Sequence, residues 1–262
     1  MCRNVLKLAI AGVLVLVAAG CATERPRQAM ENKVLRVGVC PDYPPIVFKT
    51  NGVIMGVEAD LAALVARKLD AKIEFVELPF DELIPSLCAR KIDVVMSGLT
   101  DTELRREEVR FVAPYAAVGQ MVLVRGVDAK RFVMADQVYH VLRLGVLKGT
   151  TGEAFARTHV TGSNSTVTVF SEPDEALASL ASREIDAFMD DAPFVLQAAK
   201  NTPALTALPW LLTDEHLAWA VPRDRAYNDL FDKLNGIVGQ ARRNGDLRRV
   251  INTYFDVTVK VK

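Results

Sequence analysis

Six residues of this chain occur twice with a single change between the copies. Val34-Leu35-Arg36-Val37-Gly38-Val39 returns as Val141-Leu142-Arg143-Leu144-Gly145-Val146. Each copy is followed by a second shared signature. Arg90-Lys91-Ile92-Asp93 comes with Met96, and Arg183-Glu184-Ile185-Asp186 comes with Met189. Two signatures repeated in the same order confine the chain to two units of similar plan, the first enlarged by a hairpin at Asn51-Gly52. Each unit alternates strand and helix patterns, which predicts an α/β fold of mainly parallel sheets covered on both faces. Ligands of such sheets bind outside the carboxyl ends of the strands. Ser97-Gly98-Leu99-Thr100 stands at that end in the first unit, and Gly149-Thr150-Thr151 and Asp190-Asp191 in the second. A ligand between the units can touch all three.

The stretch 92–106 carries the clearest chemistry. Ile92, Val94, Val95 and Met96 read as a buried strand that breaks at Ser97-Gly98, small residues that let a ligand approach backbone. Thr100 and Glu103 have capping-box spacing, which predicts a helix start there. Its first N–H groups and the Arg105 guanidinium together match a carboxylate. The same letters also fit an ordinary capped helix with Arg105 in water. Upstream, Pro41-Asp42-Tyr43-Pro44-Pro45 forms a rigid loop presenting an aromatic ring. A helical stripe of Leu61, Leu64, Val65 and Leu69 lies in 57–69, and residues 80–89 read as a second helix. Near the C-terminus, Leu230, Leu234, Ile237, Val238 and Ala241, then Leu247, Val250, Ile251, Tyr254 and Phe255, read as two packing helices interrupted at Asn244-Gly245.

With 32 basic and 32 acidic residues in 262, no charge field points to nucleic acid. Residues 1–20 read as an export signal, with Arg3 and Lys7 ahead of a short apolar run. The end of that run, Ala18-Ala19-Gly20-Cys21, resembles a bacterial lipoprotein signal in which Cys21 becomes the lipidated first residue, although the pattern prefers Leu at position 18. Residues 21–33 form a polar tether. Cys40 and Cys88 are expected to be free thiols. With no CxxC and with His140, His159 and His216 isolated, neither a metal nor a cofactor is expected.

Segments 35–45, 56–61, 80–87, 92–105, 145–151, 185–193 and 244–255, in that order and spacing, resemble the extracytoplasmic solute-binding proteins for polar amino acids that serve ABC importers. The resemblance implies a clamshell of periplasmic binding protein type II, with two Rossmann-like lobes joined by two hinge strands. The crossings would fall at 117–120 and 217–220. Residues 34–118 and 219–262 would form one lobe, and 119–218 the other. It also implies a monomer that takes an amino acid, delivers it to a transporter permease and meets the membrane only through its lipid anchor in the cell envelope.

Carried over by residue, the resemblance gives the ligand α-carboxylate to Arg105 and to main-chain N–H groups near Thr100 and Thr151, with Thr150 also among the ligand-binding residues. The α-ammonium goes to Asp191, with the Gly98 carbonyl and the Thr100 hydroxyl. Tyr43 and Phe80 would sandwich the side chain, Leu147 would line the far wall, and Ser97 and Glu58 would belong to the ligand-binding set. Cys40 stands where the family often has an acid or a hydroxyl. Glu58 is then the remaining acid nearby, which weakens the expectation of a lysine or arginine ligand. Gly98 replaces a frequent serine.

Two other readings compete. Cyclohexadienyl dehydratases share the fold and the Met96-Ser97-Gly98 pattern. They use as general acid a glutamate three residues after the acid that aligns with Asp191. That position is Phe194 here, so no catalytic residue is assigned. A ligand-sensing surface lipoprotein, signalling through a partner, is the other.

Overall fold

A computed structural model describes residues 29–255 except 142 and 161. The signal, Cys21 and most of the tether lie outside the described residues. The chain opens on β1 (Val34–Val39), a β-branched run buried on both faces. Three short strands follow: β2 (Asp42–Tyr43), β3 (Val47–Thr50) and β4 (Val53–Met55). The last two turn at Asn51-Gly52, where φ is 51° and 79°, as a two-residue hairpin turn requires. Helix α1 (Val57–Leu69) buries Leu61, Leu64 and Val65 and returns the chain to β5 (Lys72–Glu77), parallel to β1. The helix expected at 80–89 divides into a 3-10 turn, Phe80–Glu82, and α2 (Leu83–Cys88). Then β6 (Val94–Val95) lies parallel to β1 on its other side, and α3 (Glu103–Glu108), β7 (Val109–Phe111) and β8 (Ala116–Val118) follow.

The second unit repeats this plan. It runs β9 (Gln120–Arg125), β10 (Arg143–Leu147), α4 (Thr151–His159), β11 (Thr166–Phe170), α5 (Pro173–Ala181), β12 (Ala187–Asp191), α6 (Ala192–Asn201) and β13 (Leu205–Ala207). The chain then returns through β14 (Glu215–Leu217) to β15 (Ala220–Pro222), α7 (Asn228–Arg243) and α8 (Asp246–Tyr254). The sheet orders are β5-β1-β6-β15-β7 and β11-β10-β12-β9-β13. In each sheet the repeated strand lies between two parallel neighbours, and only the fourth strand, supplied just after a crossing, runs against the rest.

The repeated letters specify this framework. Arg36 grips Asp93 through Nε and Nη2 at 3.0 and 2.6 Å, and Arg143 grips Asp186 in the same way at 3.0 and 2.8 Å. Gly38 faces Val95 and Gly145 faces Phe188, each two residues past the paired aspartate. A Cβ at either glycine would collide with the isoleucine of the second signature, Ile92 or Ile185. Arg90 and Arg183 both turn with positive φ, 58° and 69°. Helices α7 and α8 bury the predicted Leu230, Leu234, Ile237, Val238, Ala241, Leu247 and Ile251 in the core of the first unit, alongside α1. Strands β8 and β14 pair antiparallel to form the ribbon that joins the lobes, with Ala116 opposite Leu217 and Val118 opposite Glu215.

Candidate functional site

Between the sheets lies a cavity of about 550 Å³ of unfilled space, its open mouth included. Tyr43, Phe80, Gly98, Thr100 and Arg105 line it from the first lobe, and Leu147, Thr150, Thr151 and Asp191 from the second. Nine of the eleven expected ligand residues thus meet in one cavity between the two sheets.

The cation of the site reaches across it. Arg105 Nη1 donates to the Thr100 carbonyl at 2.8 Å and Nη2 to the Gly149 carbonyl of the other lobe at 3.0 Å, with the guanidinium 5.6 Å from the Phe80 ring centre. Burial pulls its pKa down, and the Asp191 and Glu215 charges oppose that shift. The anion is Asp191, 7% exposed at the end of β12. It accepts from Tyr43 Oη at 2.8 Å and from Gln120 Nε2, its neighbour across the β9–β12 pairing. Burial first, and then the Glu215 charge, push its pKa up to about 7 against the pull of Tyr43, Arg105 and Gln120. Thr150 caps α4, its Oγ1 accepting from Glu153 N at 3.2 Å, so the first turn of α4 points at the cleft from Thr151. The Thr151 hydroxyl donates to Glu215 at 2.7 Å.

Three expectations need correction. The helix after the cleft loop starts at Glu103 with Thr102 as its cap, accepting from Arg105 N at 3.2 Å. Thr100 is drawn into a bridge with Leu217 of the ribbon, which delays the helix by two residues, so Thr100 offers no helix N-terminus. Ser97 and Glu58 do not line the cavity. Ser97, 1% exposed, accepts from Cys40 N at 2.8 Å. Glu58, wholly buried behind Gly98, accepts from Gly98 N, Tyr115 Oη and Trp219 Nε1 at 3.0, 2.7 and 2.8 Å. Burial raises its pKa to about 7. Its three donors leave it no way to meet a ligand side chain. The glycine at 98 also gains a reason: φ is 64°, and a Cβ there would lie 2.6 Å from the Tyr43 ring.

Sequence reasoning gave no ligand role to Asp42 or Phe194, which both stand in the cavity wall, and Asp190, read from the sequence as part of the cleft end, stands there too. Burial raises the Asp42 pKa. Cys40 Sγ donates to Asp42 at 3.2 Å. Residues two apart along extended chain share a side, so the acid absent at 40 could have been sought at 42. Asp190 accepts from Asp191 N at 2.7 Å, and burial beside Asp191 holds its carboxyl well above the usual range. Phe194 packs its ring 6.3 Å from Tyr43, tilted, and 6.1 Å from Phe188, edge-on, and has no proton to give. Cys40 and Cys88 are free thiols, and among the described residues no cluster is built to hold a metal.

Residues 35–257 match the bacterial extracellular solute-binding proteins, family 3. A histidine-binding periplasmic protein of Salmonella typhimurium is 30% identical over 261 residues, which covers 97% of this chain and 98% of the relative. A mutant of ArgBP from T. maritima has a solved structure of TM-score 0.79 at 30% identity, covering 86% of this chain and 96% of that one. So does an ancestral amino acid-binding protein described as a precursor of cyclohexadienyl dehydratase, with TM-score 0.79, 30% identity and coverage of 87% and 97%. These relatives are binding proteins, and this chain is a binding protein rather than an enzyme. It belongs to the bacterial extracellular solute-binding proteins of family 3.

Proposed function

We propose that the cleft takes a free L-amino acid with a cationic side chain and that the protein hands it to an ABC importer at the outer face of a membrane. The α-carboxylate would replace the carbonyls now held by Arg105 and face the first turn of α4. The α-ammonium would join Asp191. One observation carries the choice of side chain. Asp42 stands in the cavity wall beside Tyr43, and Glu172 of the other lobe shares an adjoining surface pocket with it. A guanidinium or ammonium reaching that wall would ion-pair the Asp42 carboxylate, which a neutral side chain could not do. Lys148, a cation of the cavity wall, is already engaged by Asp81 at 2.6 Å. The names of two relatives, histidine-binding and ArgBP, agree with a basic ligand.

Titration calorimetry with L-arginine, L-lysine, L-histidine, L-glutamine and L-glutamate tests this. Arginine or lysine should bind at least about tenfold tighter than glutamine, and tighter binding of glutamine or glutamate would overturn the reading. We divide the lobes at the ribbon, after residues 118 and 218, and expect a monomer in solution. Lipid anchoring through Cys21 belongs to the same proposal, since it would keep the protein beside the permease. Globomycin should block maturation of the precursor, and unaffected processing would remove the anchor from the account.

A further inference from the structure

Glu58 is a wholly buried carboxylate with no place among the ligand contacts, yet its three donors come from three functional segments. Gly98 belongs to the cleft loop, Tyr115 immediately precedes β8, and Trp219 lies between β14 and β15. The loop and the ribbon are stitched together around it. Leu99 O accepts from Ala218 N at 3.0 Å, His216 O from Asp101 N at 2.9 Å, and Leu217 O from Tyr115 N at 2.9 Å. The Tyr115 and Trp219 rings lie 6.0 Å apart against each other. The carboxylate therefore sits where the ligand loop of one lobe meets the start of the first crossing and the end of the second.

We propose that Glu58 is a positioning residue that holds the Gly98 loop in register with both hinge strands, so that its loss weakens ligand binding while every ligand contact remains in place. An α-amino acid placed between the lobes is gripped only when they close, and closure turns on the ribbon. A loop fixed to the ribbon through one carboxylate arrives with the Gly98 and Thr100 groups already aimed. Two oxygens are needed, because Oε1 serves Gly98 and Tyr115 while Oε2 serves Trp219. A carboxamide offers one acceptor and turns its own donors on a donor.

Two variants test this. Glu58→Gln presents that conflict, and Tyr115→Phe removes one donor but keeps the ring, so it remains informative if the first fails to fold. Calorimetry with L-arginine should show Kd raised about tenfold or more in both, with the arginine-to-lysine preference unchanged. Amide hydrogen exchange without added amino acid should quicken at 97–100 and 216–219 and stay unchanged at 187–191 in the other lobe. A Kd within twofold of wild type overturns the proposal, and so does exchange that quickens throughout the chain in step with a lower Tm, the mark of a merely structural role. The ligand class rests on the preceding reading but the exchange arm does not. If the wild-type protein ignores L-arginine, that reading fails alone and local exchange still decides this one.

Discussion

Arg105 and Asp191 stand on opposite lobes, the first donating to carbonyls that a ligand carboxylate would replace and the second an acceptor to which a ligand ammonium would donate. Removing either charge leaves its ligand counterpart buried without a partner. Arg105→Ala should therefore cost about 2–5 kcal/mol of binding, and a loss under tenfold by calorimetry would contradict its role. The acid also sets a pH dependence. In the folded protein the Asp191 pKa is raised to about 7 from an ordinary value of 3.8. The folded state thus holds this proton more tightly than the unfolded chain. The resulting stability is complete below the ordinary value and is lost as pH rises through about 7. Glu58, raised to about 7 by burial, acts in the same direction. Without added amino acid, Tm should fall between about pH 5 and pH 8. Arginine affinity should rise over the same window, because the ammonium needs the ionised Asp191. A flat profile of affinity, or one unaltered by Asp191→Asn, would contradict the assignment.

At the scale of elements, the repeat makes a comparison possible within one molecule. Arg36–Asp93 is buried, with side chains 11% and 0% exposed, and Asp93 also takes the Arg36 N–H and the Tyr227 hydroxyl. Arg143–Asp186 has the same geometry with its arginine 44% exposed. Arg36→Ala should destabilise by about 3–5 kcal/mol, and Arg143→Ala by about 1 kcal/mol or less, as read from denaturant unfolding. Equal losses would show that the two frameworks are not graded by burial. The two-unit plan, the hairpin and the C-terminal packing stripes were legible in the sequence because each follows from a local pattern: a repeated strand, an Asn-Gly turn, a helical period. The cap at Thr102 was not, because a long-range bridge from Thr100 to Leu217 overrides the local capping signal. Asp42 was hidden because its place in the cavity wall depends on how the loop at 41–45 turns towards the other lobe, which no local pattern specifies.

For the molecule as a whole, binding and closure are one event: a ligand that touches both lobes favours the arrangement in which they meet. L-arginine at a hundred times its Kd should add roughly 2.7 kcal/mol of stability, and small-angle scattering should show a smaller radius of gyration than for the protein alone. A tight ligand that left the radius unchanged would remove closure from the mechanism. The decisive measurement is a crystal structure with L-arginine bound. The α-carboxylate should lie on Arg105 and the first turn of α4, the α-ammonium on Asp191, and the guanidinium against Asp42. A ligand lying wholly on one lobe, or with its carboxylate turned away from Arg105, would contradict that arrangement.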